Sequence, residues 1–318
     1  MVGDASVPVH GLVVGGQDAA ENEFPSQSGD GVEVRISESG DGVEVRISES
    51  GDGVEVRISE SGVGVEVRIS ESGDGVEVRI SESGDGMEVR ISESMLSVQV
   101  QRPEDLSTFR HACGGVVLNQ YWAVTAAHCI ASRLQDMTLL SVLSGTTRLH
   151  EGGTRHKLQA AVVHPGYDSD SLLHDICILK VAEPFPLDGV KVAAATLPQQ
   201  GQSVQDGAVA TVVGWGLLQE ADNQPSERLQ KAELCIVNQE ECRRVYKTVG
   251  DRVHDTNLCA GVAQGGVGAC QGDSGGPLFV DGVLVGLTSF SYGCARRNFP
   301  AVFTRVASYV DWIMQHIQ

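Results

Sequence analysis

Ser274 stands in the run Gly268–Leu278, G-A-C-Q-G-D-S-G-G-P-L, with glycine on both sides of it. A serine hydroxyl is a weak nucleophile unless a base takes its proton and donors receive the charge that its attack creates. The run can supply the donors. Backbone free of Cβ interference at Gly272 can aim the N–H groups of Gly272 and Ser274 at one carbonyl oxygen, with Asp273 folded away beneath them. The base must come from elsewhere in the chain. T-A-A-H-C offers His128, and H-D-I-C-I-L sets Asp175 at the head of a β-branched run, where it can orient that imidazole. A lone histidine beside a cysteine, or a lone G-D-S-G-G, is more often packing than chemistry. A candidate nucleophile, base and orienter in one chain, each in its own local motif, suit acyl transfer.

Further motifs stand around these three: V-V-G-G at Val13–Gly16, C-G-G-V-V at Cys113–Val117, G-W-G at Gly214–Gly216 and W-I-M-Q near the C-terminus. With them, residues 13–27 and 95–318 resemble the trypsin/chymotrypsin-like serine proteases. The resemblance implies a serine endopeptidase working through an acyl-enzyme. It assigns His128 as general base and then acid, Asp175 as its orienter, Ser274 as nucleophile, and the Gly272 and Ser274 N–H groups as the oxyanion hole. It also implies a fold of two six-stranded antiparallel Greek-key barrels, roughly residues 13–195 with an insert and 196–305, followed by a terminal helix. The triad then lies in the cleft between the barrels. Ser289 matches the family serine that hydrogen-bonds the buried aspartate, and Phe290 stands where tryptophan is usual.

The same resemblance sets expectations for specificity and activation. Six residues before the nucleophile, where trypsin-like relatives carry a pocket-base Asp, stands Gly268, followed by Ala269. Without a countercharge, burying a substrate Arg or Lys carries a heavy desolvation penalty. Ser291 and Ala301 replace two wall glycines and narrow an apolar slot, so cleavage after Leu, Met, Val, Phe or Tyr is expected. In the family, a cut before the V-V-G-G type motif frees an α-amino group that pairs with the aspartate preceding the nucleophile. Here those partners are Val13 and Asp273, and residues 1–12 form the leader. Leu12 precedes Val13 in place of the usual Arg or Lys, which suits an apolar-specific activator, including the enzyme itself.

Eight cysteines without a paired C-x-x-C read as a disulfide framework rather than a metal site, and eight allow 105 connectivities. The resemblance implies Cys113–Cys129, Cys242–Cys259 and Cys270–Cys294. It leaves Cys177 as a small buried hydrophobe and Cys235 as a thiol, exposed or not, that could link two chains. The framework and the family imply an extracellular protein, although residues 1–12 lack the basic start and apolar stretch of a secretory signal. No metal or organic cofactor is implied. The loop that binds Ca²⁺ in some relatives corresponds to about residues 145–159, where Glu151 is the only acid.

The 41% hydrophobic content of the 318-residue chain is ordinary for a globular protein. The net charge of −19 is unevenly spread. Between Ser28 and Glu93, S-G-D-G-V-E-V-R-I-S-E recurs six times, once with Val63 replacing Asp, and these units hold −11 of the total. The remaining −8, without clustered Lys and Arg, argues against a nucleic-acid partner. No apolar run approaches the roughly 18 residues that span a bilayer. The resemblance implies protein or peptide substrates and protease inhibitors as partners.

Within each repeat Val, Val and Ile alternate with Glu and Arg, the period of a strand, while S-E-S-G-D-G supplies turn residues, so an array of antiparallel hairpins is predicted. Near-identical units have too little variety to fix one register. They read as a tandem duplication tolerated at a surface loop, with an acidic adhesive arm or a weak Ca²⁺ site as functional readings. Joining F-P-S-Q directly to L-S-V-Q-V-Q makes an ordinary first strand, so Ser28 and Ser94 are expected to be neighbours. Short apolar runs divided by Gly, Pro, Asp and Asn fill the rest. The exceptions are helical: Asn238 can cap N-Q-E-E-C-R-R-V-Y, and residues 306–317 put Tyr309, Trp312, Ile313 and Ile317 on one face. A second functional class stays open, a protease homologue that binds without cutting, as a decoy or inhibitor.

Overall fold

A computed structural model describes residues 17–18, 33–39, 42–48, 54–58, 65–72, 75–82, 96–103, 109–189 and 191–317. The leader, Leu12, Val13, Ser28 and Ser94 lie outside these residues. The chain divides into two units, one of residues 1–19 with 92–318 and one of residues 20–91.

In the larger unit, short runs of β-branched and small apolar residues become the strands of two barrels. The first comprises β7 (Ser97–Pro103), β8 (Phe109–Val117), β9 (Trp122–Thr125), β10 (Ser141–Ser144), β11 (Thr154–Val163) and β12 (Cys177–Val181). The second comprises β13 (Val209–Gly214), β14 (Gln230–Val237), β15 (Asn257–Gly261), β16 (Pro277–Val280), β17 (Val283–Phe290) and β18 (Ala301–Arg305). Around the first the order is β7-β8-β9-β12-β11-β10, closed by pairing of β10 with β7. Around the second it is β13-β14-β15-β18-β17-β16, closed by pairing of β16 with β13. All pairings are antiparallel. The third strand of each barrel pairs with the sixth, the connection that defines a Greek key.

The expected barrel boundary needs one correction. The short β1 (Gln17–Asp18) pairs with β14, so this piece of the N-terminal stretch belongs to the second barrel and not the first. The reason is the ladder itself: the β14 residues Gln230 and Lys231 take Asp18 and Gln17 as partners.

Each barrel closes on its own apolar interior. Val98, Val117, Ala123, Val142 and Leu179 fill the first; Val212, Leu234, Leu258, Leu278 and Phe303 fill the second. A third cluster joins them, with Leu149 from the first half packed on Val213, Trp215 and Leu229. The fully buried Trp215 settles its one donor by bonding from Nε1 to the Thr147 carbonyl, 3.0 Å away. Each such buried apolar side chain contributes about 1.5–3 kcal/mol to keeping the two barrels packed together.

Asn238 caps helix α1 (Gln239–Lys247), its side-chain oxygen accepting from the Glu240 and Glu241 N–H groups, and the Cys242–Cys259 bridge fastens this helix to β15. The C-terminal helix α2 (Val310–His316) is shorter than the 306–317 expected, because a separate 3₁₀ turn occupies Val306–Ser308. Tyr309, at φ −128°, breaks the run between the two. Tyr309 and Ile313 are buried and Trp312 and Ile317 half-buried, as the apolar face requires.

In the smaller unit the repeats form two antiparallel sheets: β2 (Glu33–Ser39), β3 (Gly42–Ser48) and β4 (Val54–Ile58), and separately β5 (Val65–Ser72) and β6 (Gly75–Glu82). Two registers occur. β2–β3 and β5–β6 set Arg opposite Arg, at Arg35↔Arg46 and Arg68↔Arg79, whereas β3–β4 sets Glu44 opposite Arg57 and Arg46 opposite Glu55. A shift of two residues preserves the alternation, so the sequence does not choose between them.

Candidate active site

His128 sits on a one-turn 3₁₀ helix, Ala127–Cys129, directly after β9. Asp175 lies just before β12, and β9 and β12 are paired with Thr125 opposite Cys177, so the ladder brings the two residues to the same end of the first barrel. The Asp175 carboxylate is buried and grips the histidine twice. Oδ2 accepts from His128 Nδ1 at 2.8 Å, and Oδ1 accepts from the His128 backbone N–H at 2.8 Å. With Nδ1–H engaged, the other ring nitrogen is left as an acceptor.

The second barrel completes the surroundings of Asp175. Ser289 Oγ donates to Oδ2 at 2.6 Å, and Thr304 Oγ1 donates to the Asp175 carbonyl at 2.7 Å. The expected serine–aspartate contact is therefore present. Thr304 was not singled out in the sequence, since a threonine within an apolar strand carries no mark of the bond its hydroxyl makes.

Ser274 is held against the same end. Its carbonyl accepts from Gly114 N at 2.8 Å, Gly114 follows Cys113, and the Cys113–Cys129 bridge leads to the neighbour of His128. Serine and histidine are thus tied across the barrels by one hydrogen bond and one disulfide. Gly275, at φ +75°, has no room for a side chain: a β-carbon there would collide with Thr125 Oγ1 and lie 2.8 Å from Gly114 O. Thr125 Oγ1 in turn donates to Gly114 O at 2.7 Å. Gly114, Thr125 and Gly275 escaped the sequence reading as positioning residues, although C-G-G and G-D-S-G-G were both visible.

Asp273 lies beneath the serine, fully buried, and accepts from Gly216 N at 2.7 Å and Cys270 N at 2.8 Å. Burial pushes this carboxyl up to about 6, against the pull of the two N–H groups. Among the described residues no cation pairs with it. The G-W-G motif now has a physical reason, because β-carbons at Gly214 and Gly216 would run into the Asp273 carboxylate.

Gly272, at φ +97°, carries its N–H beside the serine, and its carbonyl accepts from His111 Nε2 at 2.8 Å. Burial lowers this imidazole to about 4, so it is neutral at neutral pH and donates through Nε2–H. The His111 ring packs at 5.8 Å from that of Trp215. His111 is a further positioning residue missed in the sequence, where only the following C-G-G was read.

The three expected bridges are all formed, Cys113–Cys129, Cys242–Cys259 and Cys270–Cys294. Cys177 is buried, with its thiol pushed up by desolvation, and Cys235 is exposed. One group among the described residues has the composition of a metal site, His128 with Cys113 and Cys129, but its two sulfurs are joined to each other. Gly268 and Ala301 are buried together with Ala269, and with Ala295 and Phe299 they enclose a gap of about 10 Å³, room for one water. Ser291 is half-buried, its Oγ donating to the Gly293 carbonyl at 2.5 Å.

The family model described as Trypsin matches residues 84–313. The chain belongs to the trypsin family. This trypsin-family chain is 36% identical over 204 residues to "Trypsin Blo t 3" of Blomia tropicalis, covering 64% of the chain and 76% of the relative. To "Trypsin 5G1" of Aedes aegypti it is 39% identical over 205 residues, 64% of the chain and 75% of the relative. To "Trypsin" of Simulium vittatum it is 38% identical over 206 residues, 65% of the chain and 81% of the relative. It is a serine endopeptidase, a hydrolase acting on protein or peptide substrates. No helix among the described residues is long and apolar enough to cross a membrane.

Proposed function

We propose that this endopeptidase cleaves by a Ser274–His128–Asp175 relay and prefers apolar side chains before the scissile bond. The observation that carries the reading is the doubly bonded His128–Asp175 pair, closed by Ser289, with Ser274 tied to the same corner through Gly114. Asp175 holds the imidazole so that its free nitrogen takes the Ser274 proton as Oγ attacks the peptide carbonyl, and the resulting imidazolium is stabilised by the buried carboxylate. Gly272 N–H and Ser274 N–H receive the oxyanion. The imidazolium then protonates the leaving amine, and water repeats the sequence in reverse to release the acyl group. Replacing Ser274 with Ala tests this: amidase activity should vanish, and full retention would overturn the assignment.

The pocket base supports apolar specificity. Gly268 brings no charge, and the β-carbons of Ala269, Ala295 and Ala301 crowd what lies behind it. A guanidinium or ammonium entering there loses its water and gains no carboxylate, so Leu, Met and Val suit the slot, with Phe and Tyr at its limit. A peptide-library profile, blanked with Ser274→Ala, checks this; faster hydrolysis after Arg than after Leu would contradict it.

Activation follows the same logic. A buried carboxyl raised to about 6 invites a cation, and the α-amine of Val13, freed by cutting Leu12–Val13, would supply one. Pairing would fix Asp273 and the adjoining Gly272 N–H, making the uncut chain a poor catalyst. Leu12 fits the apolar pocket, so the enzyme or a protease of like specificity makes the cut, in an extracellular setting where the three bridges persist. Sequencing new N-termini during incubation of the purified chain tests this. A V-V-G-G terminus appearing with activity, and absent in Ser274→Ala, supports self-activation; full activity with Met1 attached contradicts it.

A further inference from the structure

The segment Gly293–Asn298, which follows Ser291 and contains Cys294, takes a backbone path that Gly293 and Asn298 suit but Ala295 does not. Three of its six residues are left-handed: Gly293 at φ +71°, Ala295 at φ +49° and Asn298 at φ +64°. An alanine in that region is uncommon and strained, so surrounding contacts must impose the shape. Two come from the second barrel's own loops. The Cys270–Cys294 bridge anchors one point, and Gly266 N–H donates to the Ala295 carbonyl at 2.8 Å.

The third comes from the β13–β14 loop of the same barrel. The Glu220 carboxylate accepts from the Cys294 N–H at 3.2 Å, from Arg296 Nε at 3.0 Å and from Arg296 Nη2 at 2.6 Å. The Arg296 guanidinium lies at 5.1 Å over the Tyr292 ring, which packs at 4.7 Å on Phe299, a residue lining the gap beside Gly268. The loop that carries Glu220 is itself fixed near the nucleophile, since Leu217 N–H donates to the Gln271 carbonyl at 2.9 Å. An isolated exposed ion pair contributes little, but this one is bidentate and also captures a backbone donor, which confers geometry as well as energy.

We infer that Glu220 and Arg296 form a clamp that holds the Gly293–Asn298 wall in place and thereby sets the width of the substrate pocket. The pair acts through the wall and makes no contact with the reacting atoms, so both are positioning residues. The proposal rests on the assignment of the Gly268–Ser291–Ala301 slot as the substrate pocket.

The test compares the wild-type chain with Glu220→Gln, Arg296→Gln and the double variant by amide hydrogen exchange and by kinetics on a Leu-containing peptide substrate. Gln keeps the size of Glu220 and loses the charge that binds the guanidinium. Exchange across Cys294–Asn298 should quicken in each single variant while the barrel strands stay unchanged. KM should rise by about fivefold with kcat within about twofold, and the double variant should match the singles, as for partners in one clamp. High salt should move the wild type toward the variants. Unchanged exchange across Cys294–Asn298, or fully additive single effects, would overturn the clamp. Quickened exchange with unchanged KM would overturn its link to the pocket. A wild-type chain that hydrolyses Arg substrates but not Leu substrates would refute the specificity reading instead, and exchange alone would then decide the clamp.

Discussion

Asp175 and Asp273 are both carboxylates shut away from water, one behind the imidazole and the other beneath the serine. Their surroundings differ in the donors they present. Asp175 meets an imidazole N–H, a backbone N–H and a hydroxyl, and its own carbonyl is bonded as well. Asp273 receives two backbone N–H groups, and burial still outweighs them, raising it to about 6. Asp175 thus has its side-chain partners in place, whereas on the activation proposed above the charge of Asp273 is matched by the freed Val13 amine.

The largest effect should come from breaking the Asp175 side. Asp175→Asn keeps the shape but removes the carboxylate that fixes the tautomer, so kcat should fall by about 10⁴, the loss found for the same change in a trypsin-like protease. A loss under tenfold in steady-state kinetics would remove Asp175 from the relay.

On the other side, Asp273→Asn should lower kcat/KM by about 10², the scale of one lost oxyanion donor, and should also change how stability depends on pH. The buried carboxyl stays protonated to about pH 6 when folded, against 3.8 for an ordinary Asp, so its contribution is present below pH 4 and lost as pH rises through 6. The amount is on the order of 3 kcal/mol. Neighbouring His111 has the opposite sign: it protonates near 4 when folded and at 6.5 when unfolded, so stability falls as pH drops through that window. The two slopes offset each other between pH 4 and 6. Thermal unfolding of Asp273→Asn should therefore rise more steeply with pH there than wild type. In His111→Phe the midpoint should decline over the same range. Parallel curves for all three proteins would contradict this account.

A smaller effect follows from giving the pocket base a carboxylate. Gly268→Asp should raise the Arg-to-Leu ratio of kcat/KM by about tenfold or more, limited by the β-carbon of Ala295, which lies 3.3 Å from where a side chain would begin. An unchanged ratio would detach Gly268 from specificity. The smallest effect belongs to Cys235→Ser: this exposed thiol touches neither carboxylate, so activity should stay constant and stability shift by less than about 0.5 kcal/mol.

The parts of the site that were legible in the sequence are those where function demands a residue type. Ser274, His128 and Asp175 stood out as residue types suited to a nucleophile, a base and an orienter, and the paired strands β9 and β12 place two of them together. The missed parts act through backbone geometry. Gly114 contributes an N–H and Thr125 a hydroxyl to a carbonyl, and neither role leaves a pattern in side-chain types. The pairing of Gln17–Asp18 with β14 was missed for a similar reason, since a two-residue strand has no periodicity to read. The repeats show the converse. Their alternation predicted strands correctly, yet identical units support two registers, because register is chosen by differences between strands and these have almost none.

The most direct test of the relay is to label the active chain with a serine-directed phosphonylating probe and locate the adduct by mass spectrometry. One adduct per chain is expected, on Ser274, forming as hydrolysis is lost and absent from Ser274→Ala. An adduct elsewhere that abolishes hydrolysis, or wild-type hydrolysis by Ser274→Ala, would contradict it.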